Sequence, residues 1–110
     1  MTLQNKLSAL ASALGAFEVN VYHYWHSKMQ APYIVWAEDG EDSALNADNR
    51  KKEQSIKGAI DYYTKTEFDP VVDDIQTALN SFDFAFGWKL DSVAYEEETN
   101  LIHWSWDFVI

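Results

Sequence analysis

The sequence predicts an α+β fold: a mostly antiparallel sheet of about five strands with two helices on one face, in the order α-β-β-β-α-β-β. Three observations lead there. Between Ser55 and Tyr63, Ile56, Gly58, Ile60 and Tyr62 alternate with Lys57, Ala59, Asp61 and Tyr63, the period of two expected of a strand with unlike faces. Between Leu101 and Ile110 the alternation is clearest, with Ile102, Trp104, Trp106, Phe108 and Ile110 inward and His103, Ser105 and Asp107 outward. Two further segments carry apolar residues at helical spacing, and packing both on one side of the sheet buries all three apolar sets at once.

The first of those segments opens the chain. Thr2 can cap a helix whose Leu3, Leu7, Leu10, Ala11 and Leu14 form one stripe, and Gly15 is placed to end it in the left-handed conformation. From Val19 to Trp25 the period becomes two, with Val19, Val21, His23 and Trp25 on one side and Asn20, Tyr22, Tyr24 and His26 on the other. A second strand, Tyr33 to Glu38, follows a short connection containing Pro32, and strands this close in sequence are expected to pair as a hairpin. Asp39 to Glu53 lacks apolar periodicity and runs from an acidic half to a basic half with Arg50, Lys51 and Lys52. It reads as a mobile surface loop and a contact arm.

The second helix follows the Ser55 strand. Asp69 is a good N-cap, Pro70 suits the first helical position, and Asp73 and Asp74 sit near the positive end of the helix dipole. Val71, Ile75, Ala78 and Leu79 form its stripe, with Val72 on the flank. The last third is a hairpin. With Thr99 and Asn100 as the turn, Tyr95 faces Trp104 and Val93 faces Trp106, but strict alternation would then set Asp91 against Phe108. One extra residue near Asp91 and Ser92 removes the mismatch, setting Leu90 against Phe108 and Trp88 against Ile110, so a β-bulge is predicted there.

At 110 residues the chain fits a single domain, residues 1–110, that needs neither metal nor disulfide to fold. It has no cysteine, which removes thiol catalysis and cysteine-ligated metal. No apolar run is long enough for a membrane span and no signal peptide is expected, so the protein reads as soluble and of intracellular type. Eight basic against eighteen acidic residues leave a formal charge of -10, which argues against specific nucleic-acid binding. An aromatic content of 15% argues against disorder.

Little in the sequence points to catalysis. There is no phosphate-cradling glycine loop, no nucleophile elbow and no HExxH. His23 and His26 are three apart on a strand, so they face opposite sides and cannot share a metal without a turn. The acidic pairs, Asp73 with Asp74 and the run Glu96, Glu97, Glu98, fall at a helix start and a hairpin tip, where water keeps carboxylates alike instead of splitting them into acid and base. No enzyme and no cofactor is expected.

The aromatic residues carry more information. Five Trp, six Tyr and six Phe exceed what one side of a small sheet and two helices can enclose, so some are expected on the surface, where a contiguous patch marks a protein contact or a ligand groove. Tyr22 and Tyr24 lie opposite Val19 and Val21, and Tyr62 and Tyr63 point both ways.

The segments IDYYTKTEFDPVVDDIQTAL and VAYEEETNLIHWSWDFVI resemble the small tail-terminator, or tail-completion, proteins of long-tailed bacteriophages and prophages, often labelled minor capsid or head-tail joining proteins. The resemblance spans roughly Asn46 to Ile110. Its most specific pieces are Asp48-Asn49, Asp61-Tyr62-Tyr63-Thr64-Lys65, Phe68-Asp69-Pro70, and the hairpin from Tyr95-Glu96-Glu97 to Leu101-Ile102-His103. It implies a structural role in the virion: a homo-oligomeric ring, typically a hexamer, that stops tail-tube growth and offers a docking surface to the head, assembled in the bacterial host cytoplasm. The implied partners are the chain itself, the tail-tube protein and head-side connector proteins. The contact residues singled out are Tyr22, Tyr24, Asp48, Asn49, Arg50, Tyr62, Tyr63, Glu96, Glu97 and Glu98. A different class of function is also open, a small-molecule binding module with an aromatic-lined groove between sheet and helices.

Overall fold

A computed structural model describes the backbone of residues 1–47 and 50–110, and the side chains of 1–42 and 54–110. The elements run α1 (Leu3–Leu14), β1 (Asn20–His23), β2 (Tyr33–Ala47), β3 (Arg50–Thr64), α2 (Pro70–Leu79), β4 (Gly87–Glu96) and β5 (Leu101–Val109). This is the α+β order read from the sequence. The five strands form one sheet in the order β1-β2-β3-β5-β4, antiparallel at every pairing except β1 with β2. No described helix is long and apolar enough to cross a membrane.

Both helices cover the same face. Leu7, Leu10 and Leu14 of α1 and Val72, Ile75 and Leu79 of α2 pack in one cluster with Ile34, Trp36, Ile56, Ile60, Tyr62, Trp106 and Phe108 from the three middle strands and with Ile110 just after β5. α2 is also tied to the sheet by two indole N–H groups, Trp106 donating to Gln76 Oε1 at 3.1 Å and Trp88 to Asn80 Oδ1 at 2.9 Å. The helix is rolled slightly from the expected stripe: Val72 is buried, while Val71 and Ala78 sit half-buried on its margins.

Both N-caps form where expected, with Thr2 Oγ1 accepting from Asn5 N–H at 3.1 Å and Asp69 Oδ1 accepting from Val71 N–H at 2.9 Å. Gly15 does not adopt the left-handed cap. Its φ and ψ are -71° and -8°, and α1 unwinds through tightened bonds from Ala16 N–H to Ala13 O and Phe17 N–H to Leu14 O, so the helix never needs the reversal.

Three other expectations change. β1 and β2 are parallel, not a hairpin, with Val21 beside Ile34 and His23 beside Trp36. β1 is only four residues long, so residues 24–32 can return the chain to the same end of the sheet without a crossover helix. The segment from Asp39 to Glu53 is not a loop over its described residues: β2 runs on to Ala47 and β3 starts at Arg50, pairing out to Ala47 with Arg50 through register shifts after Glu38, Glu41 and Leu45. Asp48 and Asn49 lie outside the described residues. In the last hairpin the bulge falls between Leu90 and Ser92 as predicted, and Asn100 has the positive φ, 58°. The register is two residues off, however: Tyr95 faces Ile102, Val93 faces Trp104, Leu90 faces Trp106 and Trp88 faces Phe108, because the turn takes four residues, 97–100.

Candidate functional site

The helices leave the other face of the sheet open, and that face carries a row of stacked rings. The β1–β2 register sends Tyr22 to this side with Val35, and the β2–β3–β5 register lines up Tyr33, Tyr63 and His103 across three strands. Tyr33 and Tyr63 stack at 4.7 Å, Tyr63 and His103 at 4.1 Å, and Tyr22 stacks on His26 at 4.7 Å while approaching Tyr33 at 6.2 Å. These spacings match the distance between neighbouring strands, so the rings stand on edge along the ladder direction. They present rims and hydroxyls outward while their faces cover one another, which makes a poor platform for stacking a base or a sugar.

His103 ends the row between two carboxylates, with Nε2 2.7 Å from Asp61 Oδ1 and Nδ1 3.7 Å from Glu96 Oε2. Ser105 lies opposite Asp61 on the same face. Both ring nitrogens of His103 face acids, so neither is left to take a proton from that hydroxyl, and the trio lacks the geometry of an activated nucleophile. Among the described residues no three His, Asp or Glu side chains group to hold a metal.

The row has a measurable consequence. Burial, then the charge of Asp61, pushes the Tyr63 hydroxyl up to about 12, and burial followed by Glu96 and Asp61 raises Tyr33. Folding therefore favours the neutral phenol: this stability is full below the unfolded value near ~10 and is lost as pH rises toward the folded one. Tyr63→Phe should flatten the alkaline fall of Tm above about pH 10 relative to wild type. Identical alkaline limbs would place Tyr63 outside the stack.

A second aromatic group lies at the β1 edge on the helix side. His23 is sandwiched between Tyr24 and Trp36, each at 3.8 Å, and its Nε2 meets Glu38 Oε1 at 2.7 Å. Burial alone would raise Glu38, but hydrogen bonds from His23, its own backbone N–H and Tyr24 outweigh it and hold the carboxyl below its ordinary range. The same bond to Glu38 raises Tyr24. A small hollow of about 260 Å³ opens here beside Gln4 and Ser8 of α1.

The structure distributes the ten singled-out residues unevenly. Tyr22, Tyr63 and Glu96 come together on the open face. Tyr24 stands apart at the β1 edge, and Glu97 and Glu98 are exposed in the β4–β5 turn. Arg50 begins β3 opposite Ala47, its side chain outside the description, as are Asp48 and Asn49 altogether. Tyr62 is a correction: it is fully buried on the helix side, and its hydroxyl donates to Asp69 Oδ2 at 2.7 Å, so it is a core residue and not a contact residue.

Apart from Tyr24, the exposed large apolar side chains were not among those ten. Trp25 and Phe68 are exposed at 70% and 96%, and Leu90, Val93 and Tyr95 line the helix-side face of β4 where neither helix reaches. A signal for Phe68 exists in the sequence. It occupies the position before the N-cap, whose apolar side chain usually packs against the fourth helical residue, but that residue here is Asp73, so the ring has no local partner. No family model matches this chain, and no curated protein matches it.

Proposed function

We propose that this protein is a structural component of a phage or prophage virion, a tail-terminator or head-tail joining protein that works by assembling into a ring at the end of the tail tube. The observation that carries the reading is the exposure of apolar rings: Trp25 after β1, and Phe68 and Tyr95 near one another beside the β4–β5 hairpin, stand in solvent, more sticky area than a lone domain of this size needs to leave uncovered. Supporting features are the unpaired outer edge of β4 and the β2–β3 hairpin that runs beyond the rest of the sheet. A strongly acidic ring would also let DNA pass without adhering.

The test is direct assembly. Native mass spectrometry and negative-stain imaging at high concentration, alone and with tail tubes, should show closed rings that cap tubes. A protein that stays single and never caps a tube overturns the reading. A small-molecule module is the second reading, supported by the hollow at His23, Tyr24, Trp36 and Glu38. At about 260 Å³ it lies at or below the small end of ligand pockets, and it fits only a compact ligand.

A further inference from the structure

Phe68 combines two properties that the fold does not explain together. Its φ is 53°, a left-handed conformation that disfavours a side chain with a Cβ, and its ring is 96% exposed. The backbone there has a purpose, since the turn after β3 must swing Asp69 beneath Tyr62 and Thr64. The aromatic side chain does not, because Asn or Gly would make the same turn with less strain and no solvent-exposed ring.

Beside this knob lies a place for it. The β4–β5 hairpin runs past the end of β3, and its helix-side face is left bare, forming a hollow of about 730 Å³ lined by Val93, Tyr95, Asn100 and Ile102. Ile102 also lines the adjoining hollow of about 430 Å³ in which Phe68, Val72 and Trp104 take part. Knob and hollow therefore share one face, side by side, and Lys65 and Glu67 flank the larger hollow with opposite charges.

We infer that a second copy of this chain covers the surface, paired about a two-fold axis near Ile102 so that each Phe68 seats in the other copy's Val93–Tyr95–Ile102 hollow. A self-complementary patch is what an isologous contact requires, and the opposite charges of Lys65 and Glu67 beside the hollow give the patch both signs to offer a copy of itself. The pairing does not rest on the ring reading, since a two-fold contact does not by itself close a ring.

The experiment uses the whole chain. Sedimentation equilibrium on wild type should show a concentration-dependent dimer, and Phe68→Asn should weaken it by about 30-fold or more, the loss of a central anchor, while its Tm stays level or rises because the left-handed backbone is relieved. The chain has no cysteine, so mixing Phe68→Cys protein with Val93→Cys protein under mild oxidation reports the contact itself. A cross-linked heterodimer is expected, and none when the exposed Glu18→Cys replaces Val93→Cys. Association undiminished in Phe68→Asn, or cross-linking no better than the Glu18 control, overturns the inference and leaves the ring reading standing. A wild type that stays single up to about 1 mM also overturns the inference, while the ring reading falls only if the protein fails to cap tail tubes as well.

Discussion

Gly58→Ala is expected to cost about 3 kcal/mol, which for a domain near this size lowers Tm by about 10 to 20 °C. Gly58 sits in the middle of β3 on the helix side, opposite Phe108 of β5, and is buried. A Cβ there would come within 2.3 Å of the Ala37 carbonyl oxygen and 2.5 Å of Phe108 Cζ. The backbone oxygen cannot move without disturbing the β2–β3 ladder. Phe108 cannot move without opening the core, because it is 1% exposed and stacks on Phe86. The strand thus accepts a glycine's entropic cost in exchange for close passage of a ring over the sheet. Gly87→Ala is the control, since a Cβ there would meet nothing closer than 4.0 Å, at Val109 O. It should change stability by no more than about 0.5 kcal/mol. Equal melting temperatures for the two variants would show that Phe108 does not lie over Gly58.

The closeness of Gly58 and Phe108 also shows where the sequence is legible and where it is not. Alternation put Gly58 on one face with Ile56, Ile60 and Tyr62, and Phe108 on the inward side of the last strand, because a side chain's face depends only on the parity of its position. Which residue it meets depends on register, and parity says nothing about shifts of two. The last hairpin shows the same limit: the bulge at Asp91 was readable because it corrects a parity conflict, while the four-residue turn moved every pair by two and left every face unchanged. Capping was readable at Thr2 and Asp69 because all the parts lie within a few residues of each other. The direction of β1 was not, since a strand's pattern reads the same in both directions. The extension of β2 beyond Glu38 and of β3 before Ser55 was missed because that stretch lacks apolar alternation, and among the described pairings β5 meets β3 only from Lys57 onward.

The functional surface follows the same division. Exposed rings could be anticipated from composition, since the count exceeds the interior available. Which rings they are could not, because Tyr62 and Tyr63 are adjacent and equally aromatic, yet one is fully buried under α2 and the other stands in the open row. Tyr33 and His103 belong to that row only through pairing with β3, and they are 70 positions apart in the chain.

Asp69→Ala is expected to be about as damaging as Gly58→Ala, costing about 3 kcal/mol at neutral pH, and for a reason larger than a lost cap. The cap itself contributes about 1 kcal/mol. The same carboxylate also accepts from two buried hydroxyls, Tyr62 and Thr64, each at 2.7 Å to Oδ2, and both residues are at most 1% exposed. Alanine would leave both donors without their acceptor, and an unsatisfied buried polar group costs about 1 to 3 kcal/mol. Asp69→Asn should be milder, about 1 kcal/mol, since Asn caps nearly as well and keeps one oxygen acceptor. The two variants also separate charge from shape. Burial would raise the Asp69 carboxyl, but the bonds from Tyr62, Thr64 and the Val71 N–H outweigh it and hold the group below its ordinary value. A depressed acid stabilises the fold above its unfolded pKa of about 4 and loses that contribution as pH falls through the folded one. The stability gap between wild type and Asp69→Asn should therefore narrow as pH drops below about 4, in thermal melts taken from neutral pH downward. A gap that stays constant to acid pH would mean the carboxylate's charge contributes nothing, and that Tyr62 and Thr64 are held by shape alone.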